Sequence, residues 1–210
     1  EYNMALPQLN TPSYEMTVPS TGEAVKFRPF LVKEQKLLMI AQETGTDKDM
    51  ARAMTDIIKS CTDGAVKDVE KLPTFDIEYM FIQIRAKSVG DNVDLTVTCP
   101  DDNETTVPVT VNLSEIKVEG LENHKKEIMI TDTIGMRMKY PTMDGIVKYS
   151  AKDTKAVDLT FGVVKDCLEC IFDENEVYED MSKKELDEFI ESMNTEQFAK
   201  VQEFFDTMPK

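Results

Sequence analysis

Two cysteines three positions apart, in Cys167-Leu168-Glu169-Cys170, are the residues whose type and spacing most readily suggest chemistry. Such a pair is a redox couple when its first thiol is a low-pKa thiolate, usually at the start of a helix that follows a strand. The steps between Val157, Phe161, Val164, Leu168 and Ile171 instead place this pair late in an amphipathic helix spanning about 155–172. There the partial negative charge of the helix end raises a thiol pKa. A zinc half-site would need a second pair or histidines at suitable spacing. Cys61 falls on a helical core stripe, Cys99 on the apolar face of a strand, and His124 stands alone. The expectation is four thiols packed as small hydrophobes, with no metal and no cofactor. The alternative is a thiol- or metal-dependent enzyme centred on Cys167 and Cys170.

The remaining candidates are weaker. His124 lies in the polar connector Leu121-Glu122-Asn123-His124-Lys125-Lys126 and reads as a solvated loop residue without a partnered nucleophile. No G-x-S-x-G, phosphate-cradling glycine loop or H-E-x-x-H occurs. The acidic run from Asp173 to Asp180 lacks the central glycine of a calcium loop and reads as a solvated linker. Carboxylates are abundant enough that two could meet in a cleft as in glycosidases, but nothing singles out a pair. No catalytic residue is assigned.

The composition narrows the partners. A net charge of −16, from 40 acidic against 24 basic residues, argues against nucleic acid, which is bound through Lys and Arg. The acidity favours solubility, repulsion between copies and attraction to basic protein surfaces. No apolar run approaches the roughly 18 residues a membrane helix needs, and no charged-then-apolar signal opens the sequence. Met4-Ala5 reads as a native start, which sets Glu1, Tyr2 and Asn3 apart. With neither a membrane run nor a signal segment, the expected product is soluble and cytosolic. With 210 residues, the polypeptide can bury roughly 70% of its unfolded surface and so support a core.

Those residues must be positioned by an α+β fold, with antiparallel β-hairpins in the centre flanked by N-terminal and C-terminal helices. Residues 4–90 read as a β-hairpin plus helices, 91–141 as an antiparallel β region and 142–210 as a helical region, either as separate units or as one composite domain. Tyr14, Met16 and Val18 alternate with polar neighbours, as do Val25 and Phe27, around the turn Pro19 to Glu23. Pro7, Pro12, Pro19 and Pro29 forbid a continuous helix there. Leu37, Leu38, Ile40 and Ala41 mark a first helix stopping near Gly45, and Thr46 caps a second bearing Met50, Met54, Ile57 and Cys61. A third, from about Phe75 to Lys87, is apolar on several sides and should lie deep. Val93, Leu95, Val97 and Cys99, then Val107, Val109, Val111 and Leu113, form a hairpin about Pro100 to Asn103. Ile128 and Ile130, then Met136, Met138 and Tyr140, form two more strands, and the whole 93–140 region is expected to make one antiparallel sheet.

Ser182 and Glu185 make a capping box, and Asn194-Thr195 breaks that helix before a last one. If Phe198, Val201 and Phe205 pack inward, Phe204 is left at the edge beside Glu203 and Asp206. Phe204, with Phe198 and Met208, is therefore the candidate partner-binding surface, against the simpler reading that these side chains pack on the preceding helix. A charge-rimmed aromatic anchor is the usual anatomy of a hot spot.

The chain resembles the baseplate hub proteins of T-even-type tailed phages. The resemblance is carried by Leu6-Pro7 through Asn10-Thr11-Pro12-Ser13-Tyr14-Glu15, Val18-Pro19-Ser20-Thr21-Gly22-Glu23 and Phe27-Arg28-Pro29-Phe30-Leu31-Val32-Lys33-Glu34. It continues in Cys99-Pro100, Asp132-Thr133-Ile134-Gly135, Met138-Lys139-Tyr140-Pro141 and Phe204-Phe205-Asp206-Thr207-Met208-Pro209-Lys210. It implies a non-enzymatic interaction component, or a chaperone-like factor, for assembly of the central hub. Its implied partners are other hub proteins of the central spike complex and the tape-measure protein. The implied location is the host cytoplasm during assembly, or the virion tail baseplate. The partner's identity, the stoichiometry and persistence in the virion are left open.

Overall fold

The computed structural model describes residues 9–149 and 156–210, with side chains described for 9–148 and 159–210. The Met4-Ala5 start, Leu6, Pro7 and the side chain of Val157 lie outside them.

The alternating N-terminal run forms the antiparallel pair β1 (Tyr14–Thr17) and β2 (Ala24–Phe27), with Met16 opposite Val25. Gly22, at φ 72°, lets the turn close through its amide to the Val18 carbonyl. Two helices follow. α1 (Val32–Thr44) ends on Gly45 in the left-handed conformation, and α2 (Asp47–Cys61) starts at Thr46, whose hydroxyl accepts from the Asp49 amide. After a short 3-10 turn (Val69–Lys71), α3 (Thr74–Val89) runs through the middle of the fold.

α3 is as deep as its all-round apolarity predicts. Ile77, Met80 and Ile84 join Met16, Val18, Val25, Phe27, Ile57, Ile58, Cys61 and Val69 in a first core. Phe75, at the start of the same helix, belongs to a second core built by the C-terminal half. α1 departs from its expected stripe: Ala41 is buried and Leu38 packs on the first core, but Leu37, Met39 and Ile40 are exposed. The side chain that α1 buries near its start is Glu34, an ion-pair anchor.

The expected central sheet is two sheets. β3 (Asn92–Thr98) and β4 (Thr106–Asn112) pair antiparallel as an isolated hairpin, while Leu113 leaves the alternation in a 3-10 turn (Leu113–Glu115). β5 (Glu127–Met129) and β6 (Gly135–Met138) pair instead with β7 (Leu168–Phe172) and β8 (Val177–Tyr178), in the antiparallel order β5-β6-β7-β8.

β7 corrects a second expectation. α4 (Met143–Tyr149) and α5 (Ala156–Cys167) are helical, but α5 ends at Cys167 and the backbone enters the sheet at once. The Lys139 amide donates to the Cys167 carbonyl at 2.7 Å, and Leu168 pairs opposite Met138. A central edge on β6, with Met136 and Met138 fully buried, gives Leu168–Phe172 more to pair with than another helical turn would. The acidic linker likewise turns over in a hairpin: Asp173 accepts the amides of Asn175 and Glu176, and Val177–Tyr178 pairs back on β7.

α6 (Lys183–Glu191) carries the Ser182/Glu185 capping box, and α7 (Thr195–Asp206) an equivalent one from Asn194 and Gln197. Ile190, Val201 and Phe204 enter the second core with Ile130, Met136, Met138, Tyr140, Val164 and Ile171.

Candidate interaction surfaces

The thiols sit where packing needs them. Cys61, Cys167 and Cys170 are buried and Cys99 is half-buried, all of them free. Cys170 lies on β7, opposite Arg137, so the pair straddles a helix–strand junction rather than a helix end. Burial pushes the Cys61 thiol up to about 11, Arg28 nearby pulling it partway back, and pushes the Cys167 thiol up to about 12. Both changes are opposite to what a nucleophilic thiolate requires. Among the described residues no group of three His, Cys, Asp or Glu could hold a metal ion. In a thiol titration of native protein, Cys99 should react and the other three should wait for unfolding. Cys167→Ser with Cys170→Ser should cost stability and leave elemental zinc at zero. Rapid native reaction of Cys167 would contradict this placement.

His124 is not a solvated loop residue. Its Nε2 donates to the Phe204 carbonyl at 2.9 Å, and its Nδ1 lies 3.1 Å from the Tyr140 hydroxyl. The carbonyl can only accept, so Nε2 carries a proton, and in the neutral ring Nδ1 accepts from Tyr140. The Phe204 carbonyl is one of the last in α7, a group with no partner inside the helix, so the His124 imidazole caps the helix C-terminus. Rings close around it, with Phe204 at 4.6 Å, Tyr140 at 5.3 Å and Phe75 edge-on to Tyr140 at 5.0 Å. Lys126 caps the outer face of Tyr140 at 4.7 Å. Beside this clasp lies a cleft lined by Gly120, Lys125, Met129 and Lys200. The Lys200 ammonium donates to the Met129 and Ile130 carbonyls.

That clasp reverses the sequence-based assignment of α7. Phe204 is 3% exposed and central to the second core, while Phe205 is the half-buried one. Phe198 and Met208 are half-buried too, and the Phe198 ring stacks on Phe161 of α5 at 5.4 Å. A shallow groove between α5 and α7, lined by Leu159, Val163 and Phe205, is what this end leaves open.

A further open apolar surface is on the β3–β4 hairpin. Val93 faces Val111, Leu95 faces Val109 and Val97 faces Val107, so six aliphatic side chains share one face. The pair Val93 and Val111 is half-buried at the root, but Leu95 (47%), Val97 (49%), Val107 (51%) and Val109 (40%) are exposed. The opposite face is polar, with Asp94 accepting from the Thr110 hydroxyl at 2.7 Å. The tip is built by Asp102, which accepts from the amides of Glu104 and Thr105 and from the Thr105 hydroxyl. The Thr105 hydroxyl first, then those amides, hold its carboxyl down at about 2, so the tip stays negative. Sequence reasoning found the hairpin by its alternation, but expected it to be part of one larger sheet flanked by helices, whereas it stands as a sheet of two strands.

These features define a class: an α+β protein whose buried thiols and histidine are packed and capping groups, and whose β3–β4 hairpin carries an open aliphatic face. Residues 11–210 match the family described as T4 bacteriophage base plate protein, and the chain belongs to that family. It is thus a T4-type phage baseplate protein, and membership implies a structural or assembly role and a place in the virion tail baseplate. Searches of curated proteins and of solved structures gave no match. Among the described residues no helix is long and apolar enough to cross a membrane.

Proposed function

We propose that the protein is a non-enzymatic, protein-contacting component, or a chaperone-like factor, for assembly of the central hub of the phage tail baseplate. The observation that carries this reading is the family match along residues 11–210, nearly the whole sequence. The buried state of Cys167 and Cys170 supports it over a thiol- or metal-dependent enzyme. Its partners are other hub proteins, among them the central spike complex and the tape-measure protein, met in the host cytoplasm during assembly. At the C-terminal end, contacts would run through the half-buried Phe198 and Met208; Phe204, as a core residue, acts there only by supporting α7.

The test is affinity purification of tagged protein from infected cells, with mass spectrometry of assembly intermediates and finished tails. Hub proteins should co-purify with the intermediates, and the composition of finished tails separates a resident subunit from a transient factor. Recovery of no baseplate protein from either fraction, or stoichiometric zinc in the purified protein, would defeat the reading.

A further inference from the structure

We infer that the aliphatic face of the β3–β4 hairpin is a docking surface for a different polypeptide, one presenting an apolar strip bordered by Lys or Arg. That the partner belongs to the baseplate rests on the function proposed above; the docking surface itself rests on the hairpin's geometry and charge.

The first observation is that the hairpin is under-supported as it stands. Its principal contacts are between its own two strands, and it forms a sheet of two strands only. Such a hairpin is marginal in water without a third strand or a packed helix. Its root is anchored by buried Leu113, whose amide donates to the Asp91 carbonyl at 2.6 Å. Beyond the root, the exposed pairs Leu95–Val109 and Val97–Val107 form a contiguous aliphatic patch, of the kind that marks an interaction site.

The second observation is which side of the hairpin is open. Leu113 donates to Asp91, and Cys99 donates to the Thr105 carbonyl, so the odd-numbered residues carry the inward hydrogen bonds along the register. The even-numbered residues therefore point their backbone groups outward. Pro108 removes one donor from the outer edge of β4, and Asp94 sets a charge on β3, both devices that discourage strand addition. The face, rather than the edges, is left for a partner.

The third observation is charge, and it selects the occupant. From Ser88 to Ile116 the sequence has six carboxylates (Asp91, Asp94, Asp101, Asp102, Glu104, Glu115) and no Lys or Arg; Asp91, at the root, pairs with Lys87 at 3.3 Å, which leaves the strands and tip to the other carboxylates. A second copy would bring the same unbalanced arm on a protein of net charge −16. A basic-rimmed partner gains attraction where a second copy meets repulsion.

The experiment places a photo-crosslinking residue at Val109, on the apolar face, and at Thr110, on the polar face, in the full-length tagged protein during infection. Crosslinked peptides are then sequenced. The expected result is a crosslink from position 109 to a baseplate protein other than this one, within an apolar segment flanked by Lys or Arg, and about tenfold less from position 110, as for a contact confined to one face. Leu95→Thr with Val109→Thr, which places a β-branched strand former at both positions, should reduce recovery of that partner about tenfold while leaving thermal unfolding unchanged. Asp101→Asn, Asp102→Asn and Glu104→Gln together should weaken the salt dependence of recovery. Crosslinks to a second copy, equal yield at both positions, a segment without basic residues, or full recovery by the threonine variant would each overturn the inference. If the untouched protein recovers hub proteins while the hairpin variants recover them equally, the docking surface fails and the proposed function stands; if the untouched protein recovers none, the proposed function fails.

Discussion

Glu34→Ala should destabilise the protein by about 3–5 kcal/mol, the cost of leaving a buried charge without its partner. The Glu34 side chain is 1% exposed and Arg28 12%, and their closest atoms, Nη2 and Oε1, are 3.0 Å apart. Ser60 donates its hydroxyl to the same oxygen at 2.6 Å, and the Leu31 amide donates to Oε2 at 2.8 Å. Arg28 donates also to the Pro29 and Ser60 carbonyls, and its own amide donates to the Cys61 carbonyl. One carboxylate thus joins the end of β2, the start of α1 and the end of α2. Removing it strands a guanidinium among groups that cannot all rehydrate. Glu34→Gln keeps the shape and should cost less. Denaturant unfolding of both variants at neutral pH measures the difference, and a loss below about 1 kcal/mol for Glu34→Ala, the level of an exposed pair, would show that Arg28 finds water or another partner.

The same anchor predicts an acid limb. Burial pushes the Glu34 carboxyl up, but hydrogen bonds from Arg28, Ser60 and Leu31 outweigh it and hold the group at about 2, against a reference of 4.5. A depressed carboxyl contributes stability that is complete above its unfolded pKa and lost as pH falls through the folded one. The window therefore runs from pH 4.5 down to about 2, with a depth of about 3 kcal/mol at about 1.36 kcal/mol per pKa unit. Asp76 acts in the opposite sense. Burial raises its carboxyl, although the Ser20 hydroxyl and amide pull it back, so its contribution is present at low pH and lost as pH rises through its folded value. Comparing unfolding of the native protein and Glu34→Gln from about pH 5 to about pH 2 isolates the Glu34 limb, which should be missing from the variant.

How legible these features were depends on whether local pattern or long-range pairing decides them. The hairpins of β1–β2 and β3–β4, the Thr46 cap and the Ser182/Glu185 box follow from side chains within a few residues, and each was visible in the sequence. β7 was not, because Phe161, Val164, Leu168 and Ile171 keep helical spacing while Leu168–Phe172 suits a strand equally well. The edge of β6 decides between them, and it lies about 30 residues earlier. Glu34 was hidden for a similar reason: as one acidic residue near a helix start it looks like a dipole complement, and only the fold brings Arg28 and Ser60 to it. His124 looked solvated because its partners, Tyr140 and Phe204, are 16 and 80 residues away. The hairpin's apolar face was legible as a pattern, but periodicity alone cannot say whether a face is covered.

Phe204→Ala should cost about 3–5 kcal/mol, the range for a fully buried aromatic, and lower Tm by roughly 10 °C for a protein of this size. Phe205→Ala should cost about 1–2 kcal/mol, since its half-buried ring returns only part of its area to water. The order is the reverse of that expected from Phe198, Val201 and Phe205 as an inward triad. At about 100° per residue, Ala199, Lys200, Gln202, Glu203 and Asp206 occupy one side of α7. Phe198, Val201, Phe204, Phe205 and Met208 share the other, with Phe204 and Phe205 on opposite shoulders. Spacing therefore offers two equivalent triads, 198/201/205 and 201/204/208, and cannot choose. The choice is made by what waits on each shoulder: on one, α5 and an open groove; on the other, Tyr140 at 6.0 Å and the His124 ring, whose Nε2 also binds the Phe204 carbonyl. Truncating Phe204 empties that clasp and leaves His124 holding a helix end without its packing, so the second core and the C-terminus of α7 should loosen together. Thermal unfolding of the two variants decides it: if Phe205→Ala falls as far as Phe204→Ala, the shoulder facing α5 carries as much of the core as the clasp does.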